Sequence, residues 1–482
     1  MSWPVTSRPW AICNEEEKSR VVRKHVHRNY LQSLCPTKPI HGTIFVPICI
    51  VDAMKVVRMI QINKLKPPIY RTWATNVFNY MKNIPCNTLH VVFDVYPSEI
   101  DLSSPSKGRY DPDKIGERRH ISSLSQRLPT NQKAWNAYLS NDQNKHELTQ
   151  LLIDFMLYDE YVFDKTVYIT REEKCFLKSP NEMAIEVPEL QTKLTEADPR
   201  LALHAVHASK IFPYQSVCVV ADDTDVYIIL LSVAFQMKGT LLFRQGTSSC
   251  IQYHNVSSLA EHLGSECCRN LPAFHALNGS DFTHTFYGRS KNRAFNMMMN
   301  INKSKKWSTT HHLLDSLGST QPHFGQVTKF VLNTIYNRPL HENCSSTASR
   351  VAMLSNGKGN GKKKKHKSTK VVPPDTNSLN MKIKRANMVA YAWRNCLNPD
   401  FHPLDARNEG WEIKEINGIK RLVPIWYIGK PLPTDLEYDQ HILNKYKNVE
   451  KDQSSDSENS EYDSDSDEYA ESDSGSSSDE ET

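Results

Sequence analysis

The chain has 482 residues, 39% hydrophobic and 23% charged, enough for one large or two medium domains with a sizeable core plus tails. No stretch approaches the ~20 apolar residues of a membrane span, and the first residues lack the apolar run of a secretory signal; the sequence is expected to be intracellular, with no membrane partner. The net charge of +5 hides a split, because residues 451–482 carry 13 acidic residues against one lysine, −12, which leaves +17 on residues 1–450.

A basic body of that size suits a polyanion such as DNA, with RNA left open. A generally solvated surface is the plainer account. The 11 cysteines are irregularly spaced and include no C-x-x-C pair. This argues against a zinc knuckle or disulfide framework and for reduced, buried thiols.

In chain order, residues 1–40 are polar and basic and read as an N-terminal extension. Thr43–Val51 is rich in β-branched residues, ends at Asp52 and leads into a helix-like stretch, Ala53–Ile62. Further strands are expected at Leu89–Phe93, Val167–Thr170, Ser216–Val220 and Thr240–Arg244. Helix-like segments fall at Lys145–Tyr158, Leu201–Lys210 and Ser257–Arg269. This alternation predicts an α/β fold around a mostly parallel sheet flanked by helices, over residues 41–335. Residues 356–370 are rich in glycine and lysine and read as a basic linker. Its run Lys362–Lys367 is either a nuclear localisation signal or a solvated linker, and its glycines lack the P-loop spacing. A helical C-terminal module is expected over 371–446, and a disordered acidic tail over 447–482. Serines among the acids of that tail suit acidic-directed kinases, and the tail itself suits protein partners.

The carboxylates carry the chemical signal. Asp52 follows Ile48-Cys49-Ile50-Val51, Asp94 follows His90-Val91-Val92-Phe93, and Asp223 and Asp225 follow Val217-Cys218-Val219-Val220. Ligands of open α/β sheets bind beyond the carboxyl ends of the strands, so these positions converge on one edge. Glu196 and Asp198 stand just before a helix-like run, and Asp281 follows another. Gathered together, such acids repel unless divalent cations neutralise them. Hard oxygen ligands suit Mg²⁺ or Mn²⁺, and two ions ~3.5–4 Å apart would serve phosphodiester hydrolysis. Taken singly, each acid is as well explained as a turn residue or a cap, and for Asp52 alone the N-cap is the better account.

Ile50-Val51-Asp52-Ala53-Met54, Val92-Phe93-Asp94, Thr195-Glu196-Ala197-Asp198, Ala221-Asp222-Asp223-Thr224-Asp225 and Leu277-Asn278-Gly279-Ser280-Asp281-Phe282 occur in that order. They resemble the motifs of flap endonuclease/XPG nucleases, which have a PIN-like fold, over roughly residues 43–300. The resemblance implies a structure-selective DNA nuclease. Asp52, Asp94, Glu196, Asp198, Asp223, Asp225 and Asp281 would then be the catalytic ligands of two Mg²⁺ or Mn²⁺ ions. It also implies an arch-like insertion over about 100–165, whose Lys107, Arg109 and Lys114 would touch nucleic acid and whose Arg118 and Arg119 would reach the scissile phosphate. A solvated basic helix face explains those five equally well. Thr285–Ala294 resembles the family's glycine turn on a DNA backbone, with Gly288 and Lys291 as phosphate contacts; Phe286 replaces the first glycine of that turn.

A group of animal PIN-like proteins found beside mobile or viral-type elements is similar at further positions. These are Glu196-Ala197-Asp198-Pro199-Arg200 with His204 and His207, Asp222–Val226, Leu271–Asp281, and Trp393 with Gly410-Trp411. Thr195 stands where that group has an acid, Asp198 is a methylene shorter than the nuclease glutamate, and the glycine start of flap endonucleases is missing. His204 and His207 lie on one helix face and are expected to be core or hydrogen-bonded histidines rather than ligands. A catalytically silent PIN-like scaffold and a regulatory protein acting through its tails are the competing readings.

Overall fold

The computed structural model describes residues 9–13, 24–97, 101–102, 116–158, 163–247, 250–300, 310–338, 346–355, 369–416 and 419–429. Among them the α-helices are α1 (Lys24–Ser33), α2 (Ala53–Met59), α3 (Tyr70–Lys82), α4 (Gln132–Leu139), α5 (Asp142–Tyr158), α6 (Ala197–Ile211), α7 (Thr224–Val233), α8 (Val256–Leu263), α9 (Ser265–Leu277), α10 (Lys291–Met298), α11 (Phe324–Phe330), α12 (Ser346–Ser355) and α13 (Thr376–Arg394). The strands are β1 (Ile40–His41), β2 (Ile48–Asp52), β3 (Thr88–Val92), β4 (Thr166–Arg171), β5 (Lys174–Lys178), β6 (Ile185–Glu186), β7 (Val217–Val220), β8 (Leu241–Gln245), β9 (Gln252–Asn255), β10 (Trp411–Ile416) and β11 (Ile419–Pro424).

Nine strands form one sheet in the order β1-β9-β8-β7-β2-β3-β4-β5-β6. The five central strands, β8-β7-β2-β3-β4, run parallel, and the outer ones pair antiparallel. The central five are the strands expected from the sequence. Buried on both faces, they read as continuous apolar runs: Ile48, Ile50, Val217 and Val219 enter one core, and Cys49, Val51, Cys218 and Val220 the other. The chain builds β2, β3 and β4 in one direction and then returns to lay β7 and β8 on the other side of β2. The β2/β7 boundary is therefore a topological switch point, where open α/β sheets leave a crevice. Register sets Asp52 opposite Val92 and Val51 opposite Val220. The residues after β2, β3 and β7 thus leave the sheet at one edge.

Two regions differ from the sequence reading. Within the stretch expected as an arch, Trp135, Tyr138, Leu148, Leu152 and Met156 are buried in the core cluster under α3, while residues 117–120 are exposed. The described part of the expected C-terminal module is not separate either. Leu379, Ile383, Ala386, Ala390 and Trp393 of α13 lie in the same core as the sheet, and β10 and β11 form a hairpin beside it. That hairpin makes the module mixed rather than helical. Residues 356–368 of the expected linker and all of the acidic tail lie outside the described residues. No helix among the described residues is long and apolar enough to cross a membrane.

His90 of β3 and His204 of α6 are fully buried and meet Nδ1 to Nδ1 at 2.9 Å, so one donates and the other accepts, and both are neutral. They are core histidines, as the sequence suggested for His204. Burial, with a contribution from His207, pushes His90 down to about 3. Burial first, then His90, Arg200 and His207, holds His204 well below the usual histidine range. Both folded values lie below the unfolded one, so the unfolded chain takes up protons first as pH falls. Stability is fully present above about pH 6.5 and declines below it, by at most about 1.4 kcal/mol per pH unit per histidine. A His90→Leu/His204→Leu double variant should therefore lose less of its urea midpoint between about pH 7 and pH 5 than the parent. Equal losses would contradict the assignment.

Candidate metal centre

Asp223 and Asp225 begin α7 directly beyond β7. Asp223 is the N-cap and accepts the Asp225 amide at 2.9 Å, the ordinary way to satisfy an orphan donor of a first turn. Asp225, inside that turn, is fully buried. Asp198 is buried in the first turn of α6. The sequence reading had placed it before the helix. Each of Asp198, Asp223 and Asp225 offers a carboxylate oxygen within 4.8 Å of the others, an arrangement that could hold a metal ion.

Asp225 is the pivot. Its Oδ1 accepts from His275 Nε2 at 2.9 Å, while its Oδ2 is buried and has no hydrogen-bond partner among the described residues. Burial pushes the Asp225 carboxyl above its ordinary value, against the pull of Lys24. Burial first, then Lys291 and Lys24, holds His275 well below the histidine range, so the imidazole is neutral and donates. A buried carboxylate oxygen without a donor is costly, and a cation is the group that would complete it.

The fourth carboxylate arrives through a side chain the sequence did not flag. Lys24, at the start of α1, sets its Nζ 2.6 Å from Asp223 Oδ1, 3.0 Å from Asp225 Oδ1 and 2.9 Å from Asp281 Oδ1. Burial alone would lower its pKa; Asp225, Asp223 and Asp281 outweigh that and hold the ammonium above its ordinary value. Lys24 and Asp281 are thereby joined to the cluster. In the sequence Lys24 is one base of a polar extension. The i, i+3, i+7 burial of Lys24, His27 and Leu31 is a helical signal, but nothing local states where that helix docks.

The other expected residues divide. Asp94 leaves β3 beside the start of α6: its Oδ1 accepts the Ala197 amide at 2.7 Å and its Oδ2 the Tyr96 hydroxyl at 3.0 Å. Glu196 is the N-cap residue of α6. Asp52 sits at the end of β2 and accepts from the Met54 and Lys55 amides at 2.9 and 3.3 Å, so the N-cap account of it holds. These three share the sheet edge but are not among the ligand oxygens gathered at Asp198, Asp223 and Asp225. Asp222 is exposed and pairs with Lys55 at 2.8 Å.

Of the expected nucleic-acid contacts, Lys291 is corrected. Its ammonium is buried and donates to the carbonyls of Gly279 at 2.6 Å and His275 at 3.3 Å, closing the end of α9 rather than facing a phosphate. Gly288 is exposed with φ +60°, a turn that suits glycine. Arg118 and Arg119 are exposed; Arg118 is ion-paired to Glu147 of α5, and the Arg119 amide donates to Asn144. Lys107, Arg109 and Lys114 lie outside the described residues. A cleft runs beside the carboxylate edge between the start of α6 and α13, lined by Leu194, Glu196, Phe282, Val389, Trp393 and Phe401.

Compared with models of known protein families and with curated proteins, the chain matches none.

Proposed function

We propose that the chain is a metal-dependent nuclease of PIN-like type, hydrolysing DNA phosphodiesters with a preference for flaps and other branched or single-stranded junctions. The observation that carries the reading is Asp225 Oδ2. It is a buried carboxylate oxygen with no hydrogen-bond partner among the described residues, on a residue grouped with Asp198 and Asp223 at the switch point of a parallel sheet. Oxygen-only donors fit Mg²⁺ or Mn²⁺. A bound ion supplies a water of lowered pKa for attack on phosphorus and neutralises charge on the phosphate.

The protein's part is placement. Asp198 and Asp223 would hold the ion with Asp225, and the neutral His275 fixes Asp225 by donating to Oδ1. In the reaction the water oxygen bonds phosphorus and the bond to the leaving sugar oxygen breaks. One water proton passes to solvent, and the leaving oxygen gains a proton. The basic charge of residues 1–450 draws in the nucleic acid backbone. The resemblance to flap nucleases implies ions at two positions; Asp198, Asp223 and Asp225 furnish one. A nuclear location, read from Lys362–Lys367, and protein partners for the acidic tail belong to the same proposal.

One observation favours a second reading, a silent scaffold that binds nucleic acid or protein: Lys24 already pairs with three of the carboxylates. The two readings separate in a cleavage assay of the purified chain on 5′-flap, hairpin, single-stranded and duplex DNA and on RNA, with Mg²⁺, with Mn²⁺ and with chelator. Metal-dependent cleavage, greatest on branched DNA, is expected. Binding without cleavage under every condition would establish the scaffold.

A further inference from the structure

We infer that this centre holds one divalent ion, and that the Lys24 ammonium permanently occupies the position of a second. The inference rests on the metal-centre reading of Asp198, Asp223 and Asp225 and states its stoichiometry. An ammonium has three N–H donors, and Lys24 meets three separate carboxylates at 2.6–3.0 Å. The contact to Asp223 is a hydrogen bond, and those to Asp225 and Asp281 are ion pairs.

Lys24 and the ion belong on different oxygens of Asp225. Oδ1 is taken by Lys24 and by His275, whereas Oδ2 has no partner among the described residues. A second ion would sit ~3.5–4 Å from the first and would need the Asp223, Asp225 and Asp281 oxygens that Lys24 holds.

Lys24 is delivered by a docked helix. Leu31 of α1 is fully buried in the main core. His27 Nδ1 meets Asn292 Oδ1 at 2.8 Å, and its ring packs against Phe274, Phe295 and His275. Tyr30 donates to Asn296, and Arg28 donates to the Asp222 carbonyl. Displacing Lys24 means dislodging these contacts as well. For the proposed reaction Lys24 is thus a positioning residue, which holds Asp223, Asp225 and Asp281 in place without a metal.

Calorimetric titration of the full chain with Mn²⁺, paired with metal analysis after gel filtration, tests this directly. The parent protein should bind one ion per chain. Lys24→Met, which keeps the length of the side chain and removes the charge, should bind two and should gain more thermal stability from Mn²⁺ than the parent. Two ions on the parent would overturn the inference and make Lys24 a displaceable plug. One ion of equal affinity on both proteins would also overturn it. No ion on either would remove the metal centre itself along with the inference. The parent stoichiometry decides the question alone where Lys24→Met does not fold.

Discussion

Replacing Asp225 by asparagine is expected to lower metal-dependent cleavage by at least about 100-fold while DNA binding persists, because one charged ligand is lost from a set that has few. The amide keeps the shape of the side chain and can still accept from His275, but it brings a weaker oxygen or a nitrogen to the position of Oδ2. The variant should fold. Lys24 retains Asp223 and Asp281 at 2.6 and 2.9 Å, so its buried charge is not stranded, which is the costly outcome when one partner of a buried pair is removed. Cleavage rates and gel-shift affinities measured on the same preparation check this. Full activity in the variant would place the chemistry elsewhere; loss of binding together with cleavage would mark a folding defect.

Replacing Arg200 by methionine should cost about 3 kcal/mol of stability and also weaken cleavage. Arg200 is fully buried in the first turn of α6 and donates to the Phe93 carbonyl at 3.1 Å and the Glu172 carbonyl at 2.7 Å. Burial lowers its pKa to about 10, against the pull of Cys175, Asp94 and Glu173, so the guanidinium is charged at neutral pH. Methionine fills the volume but takes the donor from the buried Phe93 carbonyl and from the carbonyl of the exposed Glu172. The bond to Phe93 ties the chain just after β3, one residue before Asp94, to the helix that carries Asp198. A shift there moves a ligand. Urea denaturation together with Mn²⁺ affinity separates the two effects. Arg200→Lys, which can keep one of the two hydrogen bonds, should recover part of both. A variant with unchanged stability would show that the buried guanidinium carries no structural weight.

The parallel core of the fold was legible because each central strand is buried on both faces and is therefore a run of Val, Ile, Leu or Cys. The flanking strands were not. Gln252–Asn255 and Lys174–Lys178 have only four and five residues and begin and end on polar side chains, Ile40–His41 and Ile185–Glu186 have two residues each, and none presents an apolar run long enough to stand out. Of the stretch expected as an arch, about 100–165, the part around Trp135 and Leu152 carries an apolar face buried under α3 that its basic residues Arg118 and Arg119 overshadow in the sequence. The carboxylates of the site were legible because apolar runs ending in Asp are conspicuous. Their grouping was legible only in part: the carboxylates of Asp198, Asp223 and Asp225 come together where they could hold an ion, and Asp281 joins them through Lys24. Asp52 caps a helix, as its place before α2 implies. Lys24 was out of reach, since a lysine some 200 residues from its partners has no local signature. Lys291 was misread for a related reason, because a lysine after a glycine turn looks the same whether it faces solvent or a buried helix end.

Anomalous diffraction from a Mn²⁺-soaked crystal of the full chain tests the metal centre most directly. The account predicts a Mn²⁺ peak bounded by oxygens of Asp198, Asp223 and Asp225, with Asp225 Oδ2 as a ligand and Lys24 still against Oδ1. A crystal that takes up Mn²⁺ with no peak at these three carboxylates would contradict it.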